Sequence, residues 1–424
     1  MKKFVLFLII GLLALSACSS NETADSEENE KVEISFSMWG NDDHIAMYEK
    51  LLEEEFYPSH PNIKVNIETT PFADYQQNIT VLAAGKELAD IGWAAERMVP
   101  QFIDNGILKD LSALKEDSDF AFEDIIPGTL SQYEADGDLY GIPFSTPPHI
   151  VFYNKELFEK HGLETPVELE KKGEWTWETF EEAAKVIAQD EGVYGANMFR
   201  EWNYWQNLLP HTWSYGGGMF SEDMKEFAWN SEAGEKTFGM LERMMFEDES
   251  HPKAGDQVAF EAGNVGMFFD VYSYISTARS IEDFTWDIAP IPSGPEGKFP
   301  LMGQAGYVMF EGTEHPEEAM EVIKFFASKE GMTTTSTFFA PPRNSVLQSD
   351  EFINQEGNPS RESMELAILN PTENARVLPI HKEWNEIDKE VLLGLDQLFG
   401  QTATPSELLD GMKERIDKHL SDSE

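Results

Sequence analysis

The chain has 424 residues, with 78 acidic against 31 basic side chains and a formal net charge of −47. An acidic excess spread along the whole length repels phosphate backbones and anionic lipid surfaces, which argues against a nucleic-acid partner. The length suits two ordinary domains, and a single cysteine, Cys18, excludes an internal disulfide.

The N-terminus reads MKKFVLFLIIGLLALSACSS. Two lysines precede an apolar run, Phe4 to Leu15, that is too short to span a bilayer and ends on the small residues Ser16 and Ala17. That order marks residues 1–17 as a secretory signal. The tetrapeptide Leu15-Ser16-Ala17-Cys18 resembles the lipobox of bacterial lipoproteins, which implies cleavage before Cys18 and lipid attached to it. Residues 18–31 read as a flexible tether, of which Ser19 to Glu30 reaches at most about 40 Å. The mature chain is expected at the outer face of a membrane, in a host of Gram-positive type. Its acidic surface then suits salty or alkaline surroundings.

From Val32 the pattern alternates: Val32, Ile34, Phe36 and Met38 predict a half-buried strand. Ile45, Tyr48, Leu51, Leu52 and Phe56 fall on one helical stripe, ended by Pro58 and Pro61. IKVNIET alternates again, a helix is predicted from Phe72 to Ala84, and ADIGW is a short strand. Strand, helix, strand, helix, strand is the order of a parallel sheet with crossover helices, whose ligands sit beyond the carboxyl ends of the strands. Trp39 and Trp93 lie at two such ends; Asn41 and Asp42, just past Trp39, either bond a ligand or cap the next helix.

The uninterrupted run Ile150-Val151-Phe152-Tyr153 predicts a buried strand, reached through Pro147 and Pro148, that begins a second lobe. Thr176 is a predicted N-cap with Glu178 in the first turn. The stretch REWNYWQNLLPHTWSYGGG, Arg200 to Gly218, concentrates three tryptophans and two tyrosines and reads as partly core, partly binding wall. HPEEAMEVIKFFASKEG predicts one helix from Pro316, with Ala319, Val322, Ile323 and Phe326 buried and Gly331 as its stop. From Glu383 the chain is predicted helical, with Thr404-Pro405 opening the last helix.

The catalytic inventory is thin. Histidines are scattered, and no HExxH, calcium-loop spacing, phosphate loop or GxSxG occurs. No catalytic residue, metal or cofactor is therefore expected. Two carboxylates alone would serve a glycosidase, so a secreted carbohydrate-degrading enzyme stays open.

The segments LAAGKELADIGWAAERMVPQFIDNGILKDL, LYGIPF with IVFYNKELFEKHG and TWETFEEAAKVI, FEAGNVGMFFDVYSY, DIAPIPSGPEGK and HPEEAMEVIKFFASKEG, in this order, resemble the family 1 extracellular solute-binding proteins of ABC importers. The resemblance runs from about Val32 to the C-terminus. It implies an α/β, two-lobe periplasmic-binding-protein-like fold of type II, each lobe a mostly parallel sheet flanked by helices, with hinge crossovers and C-terminal helices. Residues 32–145 with 293–350 would form lobe I, and 146–292 with 351–424 lobe II. It further implies a monomer that closes on a carbohydrate, usually a sugar or oligosaccharide, and delivers it to permease subunits in the membrane.

Trp93-Ala94-Ala95-Glu96-Arg97 is similar to a cleft segment of the maltodextrin-binding members. There an aromatic face meets sugar C–H groups, while ionised side chains bond hydroxyls. By the same resemblance Glu201, Trp202 and Trp205 stand where the second lobe lines the cleft. Tyr272 and Tyr274 flank a third aromatic position, and Trp384 lies on a C-terminal helix that carries another. A polyamine or other small solute on the same fold stays open through cation–π contacts, although Arg97 in the cleft would oppose it.

Overall fold

The structure, a computed structural model, describes residues 31–201, 204–256, 258–370, 374–381 and 383–422. The signal, Cys18 with the tether up to Glu30, and Trp202 lie outside the described residues. Among the described residues no helix is long and apolar enough to cross a membrane.

The main strands are β1 (Val32–Trp39), β2 (Ile63–Thr70), β3 (Ile91–Ala95), β4 (Ile142–Ser145), β5 (His149–Asn154), β6 (Tyr194–Asn197), β7 (Val265–Val271), β8 (Trp286–Pro290) and β9 (Ala305–Met309). They form a five-stranded sheet in the order β2-β1-β3-β9-β4 and a four-stranded sheet in the order β8-β5-β7-β6. The principal helices are α1 (Asp42–Leu51), α2 (Phe72–Gly85), α3 (Trp177–Ile187), α4 (Glu232–Phe246), α5 (Pro316–Phe326), α6 (Lys329–Thr335), α7 (Trp384–Phe399) and α8 (Pro405–Asp422).

β1, β2 and β3 are mutually parallel, and β9 runs against both its neighbours. In the second sheet β6 and β7 are parallel, but β5 runs against both β7 and β8. Each sheet is therefore mostly parallel in strand direction, as expected, with one reversed strand: β9 in the first and β5 in the second. The cause is connectivity: β5 and β9 are the strands that the chain enters directly from the other core.

The same connectivity makes the cleft. Trp39, Ala95 and Ser145 end their strands where β9 starts, Ala305 pairing with both Ala95 and Ser145. Asn197, Val271 and Pro290 end theirs near His149, where β5 starts. Only Thr146–Pro148 separates β4 from β5, so these two sets of strand ends are held close together. A second crossover, Met302–Gln304, runs beside the first, with Gly303 N donating to Pro147 O at 3.0 Å and Pro148 bridged to Met302. Ser293 to Leu301, assigned to lobe I from the sequence, pack on the second core: Ser293 N donates to Trp175 O, and Leu301 is buried there.

Around the first sheet, Ile34, Phe36, Tyr48, Phe56 and Ile91 join the α5 stripe of Ala319, Val322, Ile323 and Phe326 in one core. Each fully buried large side chain contributes roughly 1.5–3 kcal/mol. The second sheet is buried on both faces. Val151 and Tyr153 point into one core, while Ile150 and Phe152 point into another. α3 lies tight on this sheet because Gly195 has no Cβ; one added there would stand 1.8 Å from Ala184 O.

Local signals hold in detail. Thr176 caps α3 in a reciprocal pair with Thr179, and Thr404 is bonded by Glu407 at the start of α8. Gly331 is not a stop, however. α5 ends at Phe326, and Ser328 caps a new helix by accepting from Gly331 N at 3.1 Å. A third passage between the cores runs through residues 340–347 and is pinned by Arg343, only 1 % exposed. Its guanidinium donates to Ala327 O, Ala121 O and Phe120 O at 2.6, 2.9 and 2.8 Å.

Candidate functional site

The strand ends facing the crossovers carry most of the sequence candidates. Trp39 closes β1, half-buried, with Phe72, Tyr75 and Trp93 edge-on to it at 5.3, 5.2 and 5.0 Å. Trp93 is 0 % exposed, its ring set among Phe36, Tyr48, Phe144 and Phe339. In this conformation Trp93 is a core residue that backs Trp39. Asn41 is the helix cap of the two alternatives: its Oδ1 accepts from His44 N and lies 2.6 Å from His44 Nδ1. Asp42 is exposed in the first turn of α1, where a carboxylate favours the helix dipole.

Glu96 and Arg97 follow β3 directly. Glu96 Oε2 accepts from Gln304 N at 3.0 Å, and Glu96 N donates to Gln304 O at 3.2 Å, which ties the β3 end to the second crossover. Burial pushes the Glu96 carboxyl up; bonds from backbone N–H groups and the Arg97 charge pull it back. The Arg97 guanidinium lies over the Phe72 ring at 4.7 Å, and its buried Nε has no hydrogen-bond partner.

Arg97 also acts on the opposite core. Burial raises the Asp388 carboxyl, and the Trp205 hydrogen bond and the Arg97 charge oppose that rise. Tyr204 is raised chiefly by burial, with Arg200 and Arg97 lowering it and Asp270 and Glu201 raising it. Arg97, Tyr204 and Asp388 thus share one electrostatic neighbourhood although they belong to different cores. Trp205 Nε1 donates to Asp388 Oδ1 at 2.7 Å, and its ring stacks on Trp384 at 5.7 Å. Both tryptophans are buried, so they build the wall that presents Asp388. Glu201 is exposed, and Trp202 lies outside the described residues.

Tyr272 and Tyr274 begin the turn after β7 and are sealed in the core under the second sheet, against Phe352 in one case and Phe152 and Phe268 in the other. Their neighbours include charged groups that pattern reading passed over. Asp270, 3 % exposed, meets Arg200 at 2.5 Å, and the Arg200 guanidinium lies 5.1 Å from the Tyr274 ring centre. Burial lifts the Asp270 carboxyl to about 6 even though Arg200 and the Val271 N–H oppose it.

Of the stretch Arg200 to Gly218, Trp205 and Trp213 are core, while Tyr204 and Tyr215 are half-buried. Also passed over were Gln304 on the second crossover and His149 directly after the first, each buried with unpaired side-chain atoms. The signal for Gln304 is a polar residue held between two glycines and two apolar strands, in LMGQAGYVM.

Nothing here has the donor set of a metal centre: among the described residues no three His, Cys, Asp or Glu side chains converge. An open surface hollow of about 450 Å³, lined by Arg279, Phe284, Trp286 and Asn358 among others, lies at the start of β8, the end remote from the cleft. Arg279 there is committed to Thr337 O, Gln355 and Asn358.

Comparisons with known proteins agree with this geometry. The chain is 24 % identical to a putative binding protein of Brucella abortus over 99 % of both chains. It is 23 % identical to the arabinooligosaccharide-binding protein of Halalkalibacterium halodurans, over 89 % of this chain and 87 % of that one. Among solved structures it is similar to an ABC substrate-binding protein of Listeria monocytogenes in complex with cycloalternan, with a TM-score of 0.81, 22 % identity, and coverage of 92 % of this chain and 99 % of that one. That likeness shows the type II two-lobe fold. The profile of the bacterial extracellular solute-binding protein family matches residues 41–333, most of the chain, and the protein belongs to that family.

Proposed function

We propose that the protein is the lipid-anchored solute-binding component of an ABC importer, and that it captures a carbohydrate, foremost an oligosaccharide, between its two lobes. Cys18 carries the anchor, the monomer closes on its ligand, and the closed form delivers it to the permease. No bond is made or broken in the ligand. Lobe I is residues 32–145 with 293–350 and lobe II residues 146–292 with 351–424, except that Ser293 to Leu301 go with lobe II.

The observation that carries this reading is the position of Arg97. A guanidinium with a buried unpaired Nε follows a strand end, beside a half-buried tryptophan, and its charge reaches Asp388 and Tyr204 in the other core. A fork of donors, an acceptor opposite and an aromatic edge suit a neutral guest rich in hydroxyls. Two guanidiniums, Arg97 and Arg200, disfavour a polycation here. The relatives named for arabinooligosaccharide and cycloalternan binding point the same way.

The test combines a thermal-shift screen over mono- and oligosaccharides with small-angle scattering. At least one glycan should raise the melting temperature, because it binds only the native state, and should reduce the radius of gyration through lobe closure. A broad glycan panel that moves neither quantity would sink the proposal.

A further inference from the structure

Gln304 ends the second crossover, one residue before β9, and His149 follows the first crossover at the first position of β5. Gln304 is 3 % exposed, and neither its Oε1 nor its Nε2 has a hydrogen-bond partner. His149 is 8 % exposed, and its Nδ1 is likewise unpaired. Buried polar side-chain atoms without partners are rare in native proteins because each forfeits its hydration. The backbone around Gln304 is fully engaged: its N–H donates to Glu96 and its carbonyl accepts from Glu96 N. The side chain is the part left without a role.

We propose that Gln304 and His149 are ligand-binding residues at the base of the cleft, and that they bond hydroxyls of a neutral polyol. This rests on the carbohydrate reading above. The amide offers two N–H donors and one acceptor oxygen, and the His149 ring, which also interacts with Asn207, offers its unpaired Nδ1 as donor or acceptor according to tautomer. Burial holds His149 neutral, its pKa lowered to about 4. A pair of uncharged groups that both donate and accept is the complement of a hydroxyl, which also does both. An ammonium would leave the amide N–H groups without an acceptor and a carboxylate would leave the amide oxygen without a donor, whereas hydroxyls can satisfy both. Opening about the crossovers hydrates these atoms; closure over a guest replaces that water with the guest's hydroxyls.

Gln304→Met separates this role from a structural one, because methionine keeps the chain length and removes both polar atoms. The probes are arabinotriose, maltotriose and cycloalternan, each titrated calorimetrically into wild type and variant, with thermal unfolding of the unliganded proteins alongside. The expected result is a variant that melts at or above wild type and binds the responsive glycan about tenfold more weakly or worse, the scale of one or two lost hydrogen bonds. Equal affinity in the two proteins overturns the assignment while leaving the carbohydrate reading intact. A variant that unfolds or melts well below wild type shows that the amide has structural partners, and also overturns it. If no probe binds wild type, the carbohydrate reading falls and takes this proposal with it.

Discussion

Asp270→Asn tests the electrostatics of the second-lobe wall. Asp270 is 3 % exposed, and its carboxyl is raised to about 6 by burial. In the unfolded chain it returns to an ordinary value near 3.9. The native state therefore binds this proton more tightly, and between these two values it holds more protons than the unfolded state. Stability from this group is full below about pH 4 and is lost as pH rises through about 6. A displacement of about two pH units, at about 1.4 kcal/mol each, makes the loss about 3 kcal/mol.

Asparagine mimics the protonated acid at every pH and keeps an acceptor for the Val271 N–H, which bonds Asp270 Oδ1 at 2.7 Å. Arg200 loses its partner, but at 39 % exposure it returns to solvent. Urea unfolding of both proteins at pH 4 and pH 7 should thus give similar stabilities at the lower pH. At the higher pH the variant should gain up to about 3 kcal/mol relative to wild type. The difference between the proteins is the readout, because the many surface carboxylates cancel in it. A difference that does not change with pH, or that turns against the variant as pH rises, would refute the reasoning.

Two further outcomes follow from the same contacts. Arg97→Met should weaken glycan binding by at least tenfold while changing stability by less than about 1 kcal/mol, since the Arg97 guanidinium rests on the Phe72 ring and its Nε has no hydrogen-bond partner; calorimetry and urea unfolding read the two effects separately. Arg343→Met should cost about 3–5 kcal/mol, because it strands three carbonyls that the buried guanidinium satisfies. Chemical denaturation that shows a loss below about 1 kcal/mol would mean that the third passage is held by other contacts.

The elements were legible where a period repeats. The β1 alternation, the α1 stripe and the buried face of α5 each follow from spacing alone, and the cap at Thr176 from one residue type. Gly331 misled because a glycine after an apolar run is a stop only if nothing restarts the helix; Ser328, three residues earlier, does so. Strand direction left no trace in the pattern, since β5 and β9 are buried at every position and would read the same whichever way they run.

At the site, the sequence pointed to aromatic residues, and the structure seals Trp93, Trp205, Tyr272 and Tyr274 beneath the surface they were expected to line. Rings are conspicuous in a sequence whether they stack on a guest or on each other. A lone glutamine between glycines is not, and its significance appears only when its unpaired atoms are found buried.

That observation connects the hinge to ligand selection. Gln304 on one crossover and His149 just after the other carry buried, unpaired polar atoms, and under the proposal closing without a guest would leave them uncompensated. Each such atom costs on the order of 1–3 kcal/mol. On the proposed role of Gln304 and His149, an empty closed form would be disfavoured by several kcal/mol relative to an open one in which water reaches these atoms. Moving a two-state equilibrium from 1:99 to 99:1 needs about 5.5 kcal/mol of differential binding, a quantity of the same order. A guest that supplies hydroxyls at these positions removes the penalty, whereas one that only fills the volume does not. Under this proposal specificity for a polyol would be set at the hinge as well as at the walls, since the groups that read the hydroxyls would be the ones whose desolvation opposes empty closure.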